Sequence, residues 1–137
     1  MRFVAGYVAF LLAFGLCDAI WLSTMASRLY RPALGDMLLD EIRYLPAVLF
    51  YFGFSLGVVH FALMPALREG SGGSALLNGA LVGLLAYATY DLTNYATLRA
   101  WTLTITLADM AYGAIVVGLC SWVAYAAVRQ MEGWGWI

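Results

Sequence analysis

Apolar and polar positions divide the chain into four long apolar blocks with short polar segments between them. The blocks cover about residues 3–22, 44–64, 75–97 and 103–128, and each has the roughly 20 residues that an α-helix needs to cross a bilayer. Within lipid a helix satisfies its own backbone hydrogen bonds, which an open strand cannot do. The pattern therefore predicts an all-α integral membrane protein, a four-helix up-down bundle that forms a single transmembrane domain over residues 1–137.

The segments between the blocks indicate how the helices follow one another. Only residues 98–102 separate the last two blocks, so we expect these two helices to be antiparallel neighbours. Pro65 is expected to end the second helix, because proline lacks a backbone N–H and its ring clashes with the preceding turn. Ser74 is the expected N-cap of the third helix.

The first connection, residues 23–43, is longer and has a pattern of its own. Leu34, Leu38 and Ile42 recur every four residues, with acidic residues between them. This spacing predicts a short amphipathic helix that lies in the membrane interface between the first two spans. Such a helix would either only connect the spans or also cover a site beneath it as a lid.

Two pairs of glycines four residues apart predict close helix packing. They are Gly53 and Gly57 in the second block, and Gly79 and Gly83 in the third. Glycines at this spacing let two helix backbones approach, which matters in lipid because no hydrophobic effect drives one helix onto another. Because the pairs lie on consecutive spans, we expect the second and third helices to pack tightly together.

The composition agrees with a membrane protein and narrows its function. The chain is 64% hydrophobic and 11% charged, with a mean hydropathy of +0.85, whereas a soluble domain has about 25% charged residues. Such a chain cannot cover itself with a polar surface, so the lipid bilayer is its first expected partner. A net charge of −1 provides no polybasic patch for nucleic acid.

Cysteine and histidine are too few and too scattered for a metal centre. Cys17 lies at the expected end of the first helix and Cys120 deep in the last, so we expect two free thiols at different depths of the bilayer. His60 is the one histidine, and we expect it to be a packing residue with a hydrogen-bond partner. No metal site and no cofactor are expected.

Three aspartates interrupt the apolar blocks. Asp18, Asp91 and Asp109 lie on the first, third and fourth spans, and in an up-down bundle they fall about 7, 12 and 9 Å below the same interface, at 1.5 Å per residue. A carboxylate is costly in hydrocarbon, so each must face protein or water, and each is a candidate functional residue. We expect the three to share one polar region.

Other polar side chains are spaced to join this region. Tyr87, Asp91 and Asn94 follow the i, i+4, i+7 pattern of one helix face. The complete candidate site consists of Asp18, Trp21, Tyr87, Tyr90, Asp91, Asn94, Arg99, Thr106 and Asp109. These residues form either a hydrogen-bond network that only holds the helices together or a site that binds or processes a molecule.

A resemblance to a known family rests on the third and fourth spans. Residues 87–101, with the sequence YATYDLTNYATLRAW, resemble a bacterial family of small four-span membrane proteins that is described only as a domain of unknown function (number 2177). The motifs Asp109-Met-Ala-Tyr-Gly113, Asp18-x-x-Trp21-Leu22 and Tyr30-x-x-x-Leu34-Gly35 are also similar to it. The resemblance extends over nearly the whole chain and implies a multi-pass protein of the bacterial inner membrane. It implies no activity.

Three functions are compatible with the candidate site. We favour the binding of an amphipathic or apolar small molecule, of lipid or isoprenoid type, by an Asp, Tyr and Asn cluster within the membrane. The second is an accessory subunit or structural staple, bound to another membrane protein or to a second copy of the chain. The third is a small membrane enzyme that uses paired aspartates as acid and base, although no nucleophile–base motif, phosphate loop or metal-ligand spacing supports it.

Overall fold

The apolar blocks form four helical spans in a computed structural model that describes all residues, 1–137. The spans are Arg2–Met37, Tyr44–Glu69, Gly72–Thr97 and Leu103–Gly133, and no strand is present. The α-helices within them are α1 (Arg2–Met25), α2 (Arg31–Leu34), α3 (Tyr44–Val58), α4 (Met64–Glu69), α5 (Gly72–Thr97) and α6 (Leu103–Gly133). The prediction of an all-α helical membrane bundle is confirmed.

The first helix, α1, shows how the bundle separates its lipid-facing side from its interior. Val4, Val8, Leu12, Leu16 and Ile20 recur every four residues and are all exposed. The opposite stripe has the same spacing, is buried, and consists of Gly6, Phe10, Phe14 and Asp18. Both stripes are largely apolar, because lipid solvates the first as readily as protein packs the second. The buried stripe of α1 therefore differs from the lipid-facing stripe in its small, aromatic and acidic side chains, and not in being more apolar.

The closest helix contact lies between α5 and α6. A Cβ atom on Gly79 would lie 2.8 Å from the carbonyl oxygen of Val117, and one on Gly83 would lie 2.7 Å from the Cβ of Val117 and overlap the carbonyl of Gly113. Each distance is shorter than real Cβ atoms tolerate. The two backbones therefore touch directly at these glycines.

The expectation that the glycine pairs join the second and third spans was wrong. A Cβ atom on Gly53 or Gly57 would meet no other atom within 4 Å, whereas Gly79 and Gly83 face α6. The physical reason is the rotation of α5, which turns Gly79 and Gly83 towards Val117 and Gly113 on α6. On the α6 side of this contact the backbone of Gly113 lies against Gly83.

Pro65 does not end the second span, contrary to expectation. A π-helical turn, Val59–Leu63, precedes it, and Pro65 occupies the first turn of α4. Proline is tolerated in a first turn because that N–H has no partner within the helix, and the wider π turn takes up the change in backbone hydrogen bonding. The span therefore continues to Glu69.

The N-cap of the third span is Ser71 rather than Ser74. The backbone N–H of Ser74 donates to the Oγ of Ser71 at 3.1 Å, so Ser74 lies one turn inside the helix. Gly70 ends α4 in the left-handed conformation, with φ of 71°. The turn between the second and third spans is therefore only two residues long.

The helical segment expected in the first connection is present but differs in position. It continues the first span through a π-helical turn, Ala26–Tyr30, then α2, and then a 3₁₀ turn, Gly35–Met37. Gly35 has φ of 40°, outside the α-helical region, and Leu38 is extended. The four-residue repeat through Leu38 and Ile42 is therefore not one helix, because the chain leaves helical geometry at the glycine.

The first and last spans run antiparallel and meet along their length. Arg2 forms an ion pair with Glu132, which also pairs with Arg129 at 2.7 Å, so both termini lie at one end of the bundle. Cys17 and Cys120 are neighbours in this contact, and both are free. Their expected separation in depth was wrong, because α1 continues to Met25 and Cys17 is well inside it.

The glycine contact between α5 and α6 gives a direct test. We expect Gly83→Ala to lower the melting temperature in mild detergent, because overpacking a close contact costs about 1–3 kcal/mol. Gly57→Ala is the matched control, since its Cβ would meet no atom within 4 Å. Equal melting temperatures for the two variants, measured by circular dichroism, would contradict the contact.

Candidate functional site

A cavity of about 1180 Å³ lies at the end of the bundle opposite the termini. The end of the first span and the first connection form much of its lining, and α3, α5, α6 and the turn between α5 and α6 supply the rest. Of the 21 lining residues 14 are hydrophobic, so the cavity favours an apolar body. Its few polar groups therefore determine which part of a ligand can lie where.

Asp18 on α1 lies in the wall of this cavity and accepts two hydrogen bonds. The hydroxyl of Tyr51 on α3 donates to one carboxylate oxygen, and the hydroxyl of Tyr112 on α6 donates to the other at 3.2 Å. Asp18 is only 6% exposed, so these hydroxyls replace the water that the carboxylate lacks. One side chain thus connects three spans.

Asp109 on α6 is held in a similar way. It accepts a hydrogen bond from the hydroxyl of Tyr30, and the Nε1 of Trp21 donates to that hydroxyl at 3.2 Å. The ring of Trp21 also stacks on Tyr112, with the centroids 4.0 Å apart. Trp21 therefore links the environments of the two carboxylates. We call Asp18, Trp21, Tyr30, Tyr51, Asp109 and Tyr112 the Asp–Tyr cluster.

The spacing along two antiparallel helices explains why the cluster forms. Asp18 and Trp21 are three residues apart on α1, and Asp109 and Tyr112 are three apart on α6, so each pair lies on one helix face. Because α1 and α6 run in opposite directions, each aspartate lies beside the aromatic residue of the other helix. Each helix thus contributes one acceptor and one aromatic residue.

Tyr87 on α5 completes the wall of the cavity beside the cluster. Its ring lies edge-on to Tyr112, with the centroids 6.1 Å apart. It fits there because residue 113 is glycine, since a Cβ at that position would overlap the ring of Tyr87. The close contact of α5 and α6 therefore also positions a cavity residue.

Asp91 differs from the other two aspartates. It is fully buried, and neither carboxylate oxygen has a hydrogen-bond partner. It is close enough to Asp109 for an electrostatic interaction, yet it does not line the cavity. A buried polar group without a partner costs stability, so Asp91 is not holding helices together through a hydrogen bond.

The other candidate residues separate into two groups. Tyr90 lines the cavity, with its ring edge-on to Trp101 at 5.3 Å between centroids. Thr106 is buried and its hydroxyl donates to the backbone oxygen of Thr102 at 3.0 Å. Those that line the cavity are Asp18, Trp21, Tyr87, Tyr90 and Asp109; those that do not are Asp91, Asn94, Arg99 and Thr106. Arg99 lies in a separate surface depression at the turn between α5 and α6.

Three tyrosines of the cluster were missed as site residues. The ring of Tyr51 packs on Phe14, while its hydroxyl donates to Asp18. Tyr30 and Tyr112 occur in the motifs quoted above without a role assigned to them. For Tyr112 the sequence does contain a signal: it follows Asp109 by less than one helical turn, which places it at the same depth of the membrane as the carboxylate.

Comparison with known proteins identifies a family. The family model described as "Predicted membrane protein (DUF2177)" matches residues 3–126, a range that includes the whole cavity and the Asp–Tyr cluster. No curated protein and no solved structure matches the chain.

The hydrogen bond between Tyr51 and Asp18 can be measured by a double-mutant cycle. Tyr51→Phe and Asp18→Ala, alone and together, are expected to show a coupling free energy of about 0.6 kcal/mol and at most about 1.7 kcal/mol, the range for polar pairs between membrane helices. Thermal unfolding in detergent measures it. Tyr44→Phe is the control, because Tyr44 is 75% exposed; additivity in the Tyr51 cycle would refute the hydrogen bond.

Asp91 provides a contrasting prediction. Asp91→Asn is expected to leave the melting temperature unchanged or raise it, because the wild-type carboxyl group makes no hydrogen bond that could be lost. Asp18→Ala is expected to lower it, since two tyrosine hydroxyls then lose their acceptor. A larger loss for Asp91→Asn than for Asp18→Ala would show that Asp91 has a structural partner.

Proposed function

The chain belongs to the DUF2177 family of predicted membrane proteins, and we propose that its cavity binds an amphipathic small molecule of lipid or isoprenoid type. The observation that carries this proposal is a largely apolar cavity of about 1180 Å³ with two aspartates in its wall. Small-molecule sites are commonly about 300–1,000 Å³ and combine an apolar lining with a few placed polar groups. A lipid-sized molecule fits that description.

The lining suggests how such a molecule lies in the cavity. Its apolar body contacts side chains such as Leu34, Leu38 and Phe50. Its polar part faces Asp18, Asp109 and Tyr87, where carboxylate oxygens accept hydrogen bonds from ligand hydroxyl groups. The ligand thereby keeps its polar atoms out of the hydrocarbon.

The cavity is what favours binding over a purely structural role. The hydrogen bonds of Asp18 and Asp109 join different spans and hold the bundle together whatever else they do. A hydrogen-bond network that only holds helices together does not require a cavity beside it. The cavity is therefore the feature that a purely structural role would not explain. The first connection, which lines the outer part of the cavity through residues such as Leu38 and Ile42, serves as its cover.

The resemblance in sequence also supports a location in the bacterial inner membrane. We propose that the cavity lies at one face of this membrane, where the headgroups of lipids meet its opening. The spans are long and apolar enough for this placement.

Filling the cavity is expected to abolish ligand binding. Ala86 lines the cavity, so Ala86→Phe places a ring in the space that the ligand needs. We expect native mass spectrometry of the protein in mild detergent to detect a retained small molecule on the wild type and not on this variant.

Leu85→Phe is the matched control, because Leu85 is 66% exposed and faces lipid. It should retain the ligand as the wild type does. Asp18→Asn should weaken retention and Asp91→Asn should not, because only Asp18 lines the cavity. Equal retention by Ala86→Phe and Leu85→Phe would refute the proposal.

A further inference from the structure

Two arginines at the opening of the cavity have no acidic partner. Arg31 begins α2 and Arg43 precedes α3, and both line the cavity while remaining exposed. The ion pairs of the chain both involve Glu132 at the opposite end of the bundle. These two guanidinium groups therefore lie at the rim of the cavity with all their donors available.

Trp101 adds a buried donor to the same lining. It is only 6% exposed, and its Nε1 has no hydrogen-bond partner. Its ring packs with Leu34 and Ile105 in a small cluster at this end of the bundle, and it lines the cavity. A buried indole N–H without an acceptor is unfavourable, and a ligand oxygen in the cavity would remove that penalty.

The acidic groups of the lining do not cancel this excess of donors. Asp18 and Asp109 already accept hydrogen bonds from tyrosine hydroxyls, and both are buried in the wall. Asp40 is the one exposed carboxylate in the lining, against two exposed guanidinium groups. Among the exposed side chains of the lining, guanidinium groups therefore outnumber carboxylates by two to one, while the two buried aspartates make the formal charge of the whole lining negative.

We infer that the molecule bound in the cavity carries a phosphate-type anionic headgroup, held at the rim by Arg31 and Arg43 with Trp101 as a further donor. Arginine pairs with phosphate in a two-point geometry that suits this role. Asp18 and Asp109 line the same cavity as the two arginines. Hydroxyl groups of the same ligand would therefore face the Asp–Tyr cluster. The inference rests on the proposed function and specifies the class of its ligand.

Two probes that differ only in the phosphate test the inference. We would measure the dissociation constants of 1-oleoyl-glycerol-3-phosphate and of 1-oleoyl-glycerol for the full chain in a neutral detergent, by native mass spectrometry. The wild type is expected to bind the phosphate at least tenfold more tightly. The double variant Arg31→Gln/Arg43→Gln should lose this preference and bind the uncharged probe as before. Inorganic phosphate at the same concentration should not displace the lipid.

Arg28→Gln is the matched control, because Arg28 is exposed in the same connection but does not line the cavity. It should keep the preference. Equal affinity for both probes in the wild type would overturn the anionic headgroup and leave the cavity as a site for neutral amphiphiles. Binding of neither probe would overturn the proposed function together with this inference. Loss of the preference in Arg28→Gln would show a diffuse charge effect, and displacement by inorganic phosphate would indicate a site for the free anion; either result would overturn the inference.

Discussion

The direct contact of α5 with α6 at Gly83 and Gly113 is the constraint on which the rest of the structure depends. In lipid, two helices gain little from hiding apolar surface, so close van der Waals packing must hold them together. Glycine allows it here, because a Cβ at residue 83 would overlap the carbonyl of Gly113. The same contact makes room for the ring of Tyr87 against α6. It thereby fixes one wall of the cavity, and α1 can then place Asp18 against Tyr112 on the other side.

The Asp–Tyr cluster supplies hydrogen-bond donors to the carboxylates that it places inside the membrane. A carboxylate inside a membrane protein needs donors, and Asp18 and Asp109 obtain them from tyrosines on other spans. Tyrosine suits this role since its ring packs among apolar side chains while its hydroxyl reaches the acid. The arrangement leaves oxygen lone pairs facing a cavity. In the function we propose, the same residues would both support the bundle and bind the ligand, whereas Asp91 has no hydrogen-bond partner and no place in the lining.

The sequence predicts the four spans and the level of the polar layer because both depend on local properties. Apolar length decides whether a helix can cross lipid, and the cost of an unsolvated carboxylate forces aspartates inward. What the sequence could not supply depends on contacts between spans. The partner of the Gly79 and Gly83 pair, the hydroxyl donors to Asp18 and the exclusion of Asp91 from the cavity all follow from how helices rotate against one another. The sequence also predicted the wrong end of the second span at Pro65 and a helix that continues past Gly35. Both outcomes depend on the geometry of the neighbouring turn, which the sequence pattern does not show.

The charged side chains of the cavity differ in exposure, with the arginines at the rim and two aspartates in the wall. The buried wall holds acceptors that are already hydrogen-bonded, and the exposed rim holds Arg31 and Arg43 without a partner. Exchanging these positions would fail, because an unpaired guanidinium in the wall would be costly in a low-dielectric interior, whereas water solvates it at the rim. In the proposed binding mode, an anionic headgroup would meet the exposed arginines, and the tyrosine-bound aspartates would face the hydroxyl groups next to it. A ligand of the proposed kind would carry acceptors for the arginines and hydroxyl donors for the aspartates on one molecule.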